Sequence, residues 1–361
     1  MSLRSIGFAT CTLLALLAPG LASSSSATAG SWTATASMAT PRAHVTATSL
    51  GNGRILVVGG VDELSAELYD PPTGTWMPAG TLHESHWAHL AVRLADGRVL
   101  VAGGGRYSAG AELYDPATNS WTVTGSMNVG RISFAGTLLR DGRVLVVGGL
   151  AADGTGVQTS AELYDPASGR WTSTGSLRTP RVNHTATLLA DGKVLVAGGS
   201  NSSGWLRSAE LYDPARARWS RVTAMTTPRE HASAIVLADG RVLVAGGGNP
   251  SATLSAELYD PTTGRWTATG SMTDYHGPAA VRLQDGRVLV AGGGTNAADV
   301  YSPATGTWTE TGPMVSPQVG GAAVAPLPTG QVLNVGGEQL ARCSPKGCGS
   351  DPSATAEIYT P

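Results

Sequence analysis

The sequence has few of the residues that most catalytic, metal and nucleic-acid sites depend on. Its 361 residues include only three cysteines, two phenylalanines and 14% charged residues, and the formal net charge is −2. Without a basic excess or a basic run, the chain offers no electrostatic footprint for nucleic acid. No apolar run approaches the length needed to span a bilayer. We therefore expect no nucleic-acid partner and no membrane span.

The first 29 residues differ from the rest. Arg4 is their only charged residue, an apolar run covers roughly residues 6–17, and small residues follow. Ala27-Thr28-Ala29 forms an A-x-A cleavage site before Gly30, and Gly20-Leu21-Ala22 is a second candidate. This layout is typical of a secretory signal peptide. We predict a signal peptide over 1–29 and a mature domain over 30–361 that is secreted, periplasmic or displayed on the cell surface.

Two cysteines remain in the predicted mature domain. Cys343 and Cys348 are spaced C-x4-C in a stretch rich in Gly, Ser and Pro. Such a pair in an exported protein indicates a local disulfide. Two thiols alone make a poor metal site, so we expect a disulfide and not a zinc centre.

What the sequence does have is a repeat along the whole mature chain. A diglycine follows an apolar run seven times, at spacings of 44 to 50 residues. The diglycines begin at Gly59, Gly103, Gly148, Gly198, Gly246, Gly292 and Gly336. Each is followed by a tyrosine, namely Tyr69, Tyr114, Tyr164, Tyr212, Tyr259, Tyr301 and Tyr359. Seven residues after each of the first six tyrosines stands a tryptophan: Trp76, Trp121, Trp171, Trp219, Trp266 and Trp308. Repeats of this period are typical of a solenoid or a propeller.

Each repeat predicts four β-strands. In the fourth repeat, residues 184–189 form the first strand, and the Asp191-Gly192 turn leads into an apolar second strand over 194–197. That dipeptide between apolar runs is a strong hairpin signal. The third strand carries Glu-Leu-Tyr, a D-P-x-x-G turn follows, and the fourth strand contains the tryptophan. The chain is therefore all-β.

The motifs V-L-V-A-G-G and A-E-L-Y-D-P, with the fixed Tyr-to-Trp spacing, resemble the Kelch repeat family over about residues 31–361. This resemblance implies a seven-bladed β-propeller with one four-stranded sheet per repeat. Tyr359 has no tryptophan after it, while Trp32 precedes the first complete repeat. We therefore predict that residues 31–36 complete the seventh sheet, next to a strand at 355–360, which closes the ring.

The two ends of such a propeller differ. Only the loops between strands two and three vary in length, from 8 to 22 residues between diglycine and tyrosine. These loops and the crossings from strand four to the next strand one open on the same side, which we call the loop face. The other side, the turn face, carries only the near-identical D-G and D-P-x-x-G turns. Because binding usually resides on variable loops held by a rigid scaffold, we expect a ligand on the loop face.

Four aromatic residues outside the repeat fall on the loop face: Trp87, Tyr107, Trp205 and Tyr275. Exposed Trp and Tyr side chains suit stacking on a sugar or anchoring a protein partner. With His86 and His89 as polar contacts, they predict a monomeric, non-catalytic binding or scaffold module for a carbohydrate or protein ligand, without a cofactor. An equally simple interpretation is that each aromatic covers its own loop.

Two further patterns have competing interpretations. His83, His86 and His89 form H-x-x-H-x-x-H, which could hold Zn or Cu, but the spacing favours a polar loop. Arginines stand at equivalent places before the first strand, and His86 and Tyr275 replace them in repeats two and six. They could line an anion-binding mouth, but we favour hydrogen bonding between blades. The arginines are Arg42, Arg131, Arg181 and Arg229.

A second resemblance gives an alternative function. Tyr275-His276-Gly277, followed by Asp285-Gly286-Arg287-Val288 and a glycine run from Gly292, is similar to part of galactose oxidase and related copper-radical oxidases. That resemblance implies a copper-dependent oxidase with Tyr275 and His276 as metal ligands. The sequence departs from the family because both mature cysteines lie in one late loop, away from any tyrosine to which the family would cross-link one.

Overall fold

The computed structural model describes residues 30–106, 108–151, 156–249, 251–275, 277, 279–293, 295–317, 320–340 and 350–361. The predicted signal peptide, Tyr107, His276 and both mature cysteines lie outside these residues, so these predictions remain as stated. The described residues form seven antiparallel blade sheets, and in six of them four strands follow one another in sequence order from the axis outwards. In the seventh, the outer strand is the first strand of the described chain. The first strand of each sheet contacts the first strands of both neighbours, which makes the seven sheets a closed ring. The predicted seven-bladed, all-β propeller is confirmed.

Every blade has the same strand plan. The innermost strands are Thr46–Ser49, Leu90–Arg93, Ala135–Leu138, Thr185–Leu188, Ser233–Val236, Ala279–Arg282 and Gly320–Pro326. The second strands are Ile55–Val58, Val99–Ala102, Val144–Val147, Val194–Ala197, Val242–Ala245, Val288–Ala291 and Val332–Leu340. The third strands are Ser65–Asp70, Ala111–Asp115, Ala161–Asp165, Ala209–Asp213, Ala256–Asp260, Ala298–Ser302 and Ala356–Thr360. The outer strands are Thr75–Thr81, Ser120–Val123, Arg170–Thr174, Arg218–Arg221, Arg265–Thr269, Thr307–Glu310 and, for blade seven, Ser31–Ala34.

Additional short strands lie on the loop face. Six of them form three pairs within or beside the loops of blades three, four and five, and a seventh extends the sheet of blade seven. The pairs are Arg131–Ile132 with Leu150–Ala151, Ser200–Asn201 with Gly204–Trp205, Gly248–Asn249 with Ser251–Ala252, and Ser350–Pro352 with Val332–Leu340. Among the described residues, no helix is long and apolar enough to cross a membrane.

The core lies between blades. Alternate side chains of a second strand point to opposite faces of its sheet, so Ile55 and Val57 pack towards blade seven while Leu56 and Val58 pack towards blade two. All four are almost completely buried. Burial on both faces explains why the second strands are nearly all Val, Leu and Ala, a pattern otherwise typical of parallel sheets.

The repeated Tyr and Trp are structural. In each blade the two rings face each other across the third and outer strands, with centroids 4.9 to 5.1 Å apart. The indole N–H then reaches the preceding blade. Trp219 Nε1, for example, donates to the Gly175 carbonyl at 2.6 Å. Each such tryptophan therefore fixes the spacing between two blades.

The ring closes as predicted. Ser31–Ala34 pairs antiparallel with Glu357–Thr360, and the Thr35 amide continues the ladder to the Ala356 carbonyl. Trp32 packs on Tyr359 and its indole N–H donates to Thr311 Oγ1 at 3.0 Å. The first strand of the described residues therefore serves as the outer strand of the last blade.

Candidate functional site

A buried arginine and glutamate fix the crossing into each of blades one, three, four and five. In blade four the Arg181 guanidinium donates to the Gly198 carbonyl at 2.6 Å and to Glu210 Oε1 at 3.2 Å. Glu210 also accepts the backbone amides of Arg178 and Thr179, which lie in the same crossing. The equivalent pairs are Arg42–Glu67 at 3.0 Å, Arg131–Glu162 at 2.8 Å and Arg229–Glu257 at 3.1 Å.

These arginines also join blades. The backbone carbonyl of Arg181 accepts the amide of Gly149 in blade three at 2.9 Å, and Arg229 accepts that of Gly199 in the same way. Gly199 has a φ of 89°, which favours glycine at this close approach of two blades. The four arginine side chains are at most 1% exposed. The link between blades is thus made by the backbone carbonyls of these arginines, whereas their side chains bond within one blade and leave none of the four guanidinium groups at the axial mouth.

His86 takes the place of the arginine in blade two. Its ring is fully buried, with Nδ1 2.7 Å from the Gly103 carbonyl and Nε2 3.5 Å from Glu112 Oε1. His83 also bonds Glu112, at 2.7 Å. Burial acts to raise the pKa of Glu112, but the hydrogen bonds from His86, His83 and the backbone lower that pKa to about 2. Although the sequence placed His86 among the ligand contacts, it has no exposed surface to offer a ligand.

The channel along the axis opens on the loop face as a cavity of 310 Å³. It is lined by His44, Trp87, Ala88, His89, Ser133, Phe134, Asn183, His184, His231 and Ala232. Five lining residues stand at one repeat position, two residues after the arginine or His86, and have φ between 51° and 56°. Backbone hydrogen bonds connect three neighbouring pairs of them around the axis. For example, the His231 amide donates to the Asn183 carbonyl at 3.0 Å. Left-handed backbone at non-glycine residues is costly and often accompanies functional sites.

Two imidazoles of this mouth, those of His89 and His184, are neutral at pH 7. Burial and the nearby His86 lower the pKa of His89 to about 3, and burial and Arg181 lower that of His184 to about 3. His89 Nε2 lies 2.9 Å from Thr46 Oγ1. Among the described residues, His89 Nδ1 and both ring nitrogens of His184 lack a hydrogen bond of good geometry. A weaker interaction with the Val147 backbone acts to raise the pKa of His184. These two buried imidazoles are therefore uncharged and keep hydrogen-bonding capacity.

The structure places two of the predicted ligand residues at this mouth and a third near it. Trp87 and His89 line it, and the Trp87 ring lies 6.2 Å from His44. Trp205 lies on the short hairpin of blade four and is 42% exposed. Its Nε1 donates to Glu230 at 2.9 Å, and Glu230 also accepts Asn183 of the mouth. Burial, with a smaller contribution from the Glu230 charge, raises the pKa of Tyr275.

Sequence reasoning missed Glu230 and the left-handed ring. Glu230 belongs to no repeat motif, and its role appears only once its three hydrogen-bond donors are placed in space. The ring could have been found from the sequence, because its members occupy one position relative to the repeated arginines. It did not stand out because the residues there differ: His44, Ala88, Ser133, Asn183 and His231.

Large apolar side chains are exposed chiefly on the loop face. Val61 and Leu64 lie in the two-to-three loop of blade one, Leu254 in that of blade five, and Val315 in the crossing into blade seven. They are between 39% and 57% exposed, and Trp205 joins them. The remaining large exposed hydrophobic side chain of the described residues, Val123, lies on an outer strand.

The described residues do not supply a copper site by themselves. No group of three or more His, Cys, Asp or Glu among them is arranged to hold a metal ion. Tyr275 is half-buried, but its implied partner ligand His276 lies outside the described residues. With one described donor of the implied set, no chemical step through copper can be derived, and the copper oxidase remains a prediction.

Comparison with known proteins agrees with the fold. A model of the KLHDC2/KLHL20/DRC7 Kelch-repeats domain matches residues 88–293. A solved fungal alcohol oxidase of the AA5 family, in complex with copper, is similar over 92% of this chain and 76% of its own, with 20% identity and a TM-score of 0.76. The structure of YjhT is similar over 76% of this chain and 99% of its own, with 15% identity and a TM-score of 0.61. No curated protein sequence matches the chain.

Proposed function

The chain belongs to the Kelch-repeat family of β-propellers, and from this premise we propose that it is an extracytoplasmic binding module whose ligand lies on the loop face. Kelch propellers typically bind proteins, so a protein ligand is the first to test. The N-terminal signal pattern supports a location outside the cytoplasm.

The observation that carries this proposal is the distribution of exposed apolar side chains. Val61, Leu64, Trp205, Leu254 and Val315 occupy loops or crossings on one face, whereas the turn face presents charged side chains in repeated Asp–Arg pairs such as Asp96–Arg98. Larger contiguous areas of exposed apolar surface mark interaction sites on soluble proteins, and a ligand that spans several of these loops would cover such an area. The axial mouth, with its buried neutral His89 and His184, lies on the same face.

Trp205 is the strongest candidate anchor. Its exposed ring is held in one orientation by the bond to Glu230, so little conformational entropy is lost when a ligand covers it. Once a ligand is identified by screening the mature chain against peptide and glycan libraries, Trp205→Ala should weaken binding by about tenfold or more, as for other truncated aromatic anchors. Surface plasmon resonance would measure the loss.

A matched control comes from the turn face. Thr118 lies in an exposed D-P-x-x turn of blade two and bonds only to Ser120 Oγ. Thr118→Ala should leave both affinity and melting temperature unchanged. If turn-face variants abolished binding while Trp205→Ala bound normally, the ligand would lie on the other face.

A further inference from the structure

Glu230 is an ionised carboxylate that, in the described part of the chain, has no lysine or arginine in an ion pair with it. It stands one residue after Arg229, where the equivalent crossings carry Ala43, Trp87, Ile132 and Val182. Three neutral donors hold it: Trp205 Nε1 at 2.9 Å, Ser200 Oγ at 2.6 Å and Asn183 Nδ2 at 3.2 Å. Burial acts to raise its pKa, but these bonds lower it. The carboxylate is therefore charged at neutral pH.

The nearby basic side chains do not neutralise this charge. Arg229 is committed to Glu257 at 3.1 Å inside the blade. Burial lowers the pKa of His231, against the opposing effect of Glu230, so this imidazole is neutral at pH 7. By contrast, the repeated glutamates of blades one, three, four and five each have an arginine within 3.2 Å.

Aromatic rings accompany the uncompensated charge. The Trp205 N–H is used by Glu230, which fixes the indole beside the carboxylate while 42% of the residue stays open to solvent. Tyr275 lies close enough for the Glu230 charge to influence it. A carboxylate beside an aromatic face attracts organic cations, through Coulomb attraction and through the ring quadrupole.

We propose that Glu230 and Trp205 form a subsite for the basic side chain of a protein partner. This proposal rests on the proposed function, and it specifies that the ligand bound on the loop face carries a positively charged side chain. Of the sources of an organic cation, a protein fits better than an amino sugar. Leu254 and Leu64 expose aliphatic surface on the same face, which complements apolar side chains and offers no hydrogen bond to a hydroxylated chain.

The test uses two capped pentapeptides that differ only at a central arginine or citrulline. Citrulline keeps the shape of arginine and removes its charge. We expect the arginine peptide to bind at least about tenfold more tightly than the citrulline peptide by NMR titration, since desolvated charge-assisted bonds and cation–π contacts of this kind reach that size. A chitosan oligomer and its N-acetylated form provide the parallel pair for an amino sugar.

Two variants of the mature chain locate the charge. Glu230→Gln keeps an acceptor for Trp205 and should reduce the preference for arginine over citrulline to about one. Glu63→Gln removes an equal charge from the blade-one loop, where Glu63 accepts the Ser65 amide, and should keep the preference. Melting curves of both variants should overlay that of the parent, which separates lost binding from lost folding.

Several results would overturn the subsite. These are equal binding of the two peptides, no binding of either, an unchanged preference in Glu230→Gln, or a chitosan oligomer bound more tightly than the arginine peptide. Any of these results would still be compatible with the proposed function if Trp205→Ala weakened the binding of a ligand found by screening. If Trp205→Ala also left that binding unchanged, both the subsite and the proposed function would be wrong.

Discussion

At the scale of single residues, stability depends on buried ion pairs that repeat around the ring. Arg181 and Glu210 are both at most 1% exposed and form an ion pair. Arg181 also donates to the Gly198 carbonyl, and Glu210 accepts two backbone amides of the crossing. Removing one partner of such a pair leaves a buried charge uncompensated, which typically costs about 3–5 kcal/mol. We expect Arg181→Met to lower the free energy of unfolding by about that amount in urea titrations. Adding Glu210→Gln should recover part of the loss.

An exposed ion pair supplies the comparison. Arg216 bonds Asp213 at 2.6 Å, but its side chain is 75% exposed. Because water and salt screen such pairs, Arg216→Met should leave the urea midpoint nearly unchanged. If Arg181→Met were equally silent, the buried pairs would not be what holds the crossings.

The same residues show what could be predicted from sequence. The equivalent arginines indicated a structural role in joining blades, because a residue that recurs at one position of a repeat usually stabilises the repeated fold. The role of Glu230 could not be predicted in this way. Its donors Ser200 and Trp205 are 30 and 25 residues away along the chain, and only the fold brings them to the carboxylate.

At the scale of elements, the strands follow from local pattern, whereas the crossings depend on distant carboxylates. The crossing into blade two is held by Glu112, which accepts the amides of His83 and Glu84 and bonds the His83 and His86 rings. Its pKa falls from 4.5 to about 2 on folding. A depressed pKa stabilises the fold above pH 4.5, and this contribution disappears as pH falls towards 2.

This shift predicts a difference in acid sensitivity. Lowering a carboxyl pKa by this amount corresponds to about 3 kcal/mol at neutral pH, lost progressively in the acid range. We expect the stability of the parent to fall more steeply than that of Glu112→Gln between pH 4.5 and pH 2.5, with the two curves converging. Parallel curves from urea titrations at several pH values would contradict the role of Glu112.

At the scale of the whole molecule, a propeller is stable only if its last sheet is complete. The sequence predicted the closing strand because one tryptophan was left over at one end and one tyrosine at the other. The shape of the axial mouth could not be predicted in the same way, since it depends on backbone angles at five residues of different types.

Closure can be tested by removing the strand that provides it. A mature chain beginning at residue 37 loses the Ser31–Ala34 ladder and the Trp32 packing on Tyr359, and it exposes the edge of Ala356–Thr360. Losing a buried tryptophan alone costs about 3–5 kcal/mol, so the truncated chain should unfold at a clearly lower urea concentration. Because an open sheet edge is a template for pairing with another chain, the truncated chain should also elute as an associated species in size-exclusion chromatography.

The matched control is Trp266→Ala, which removes the equivalent ring of blade five without opening the propeller. This variant should be less stable than the parent but should not associate. A truncated chain with the parent's midpoint and elution volume would mean that the first strand does not hold the ring together.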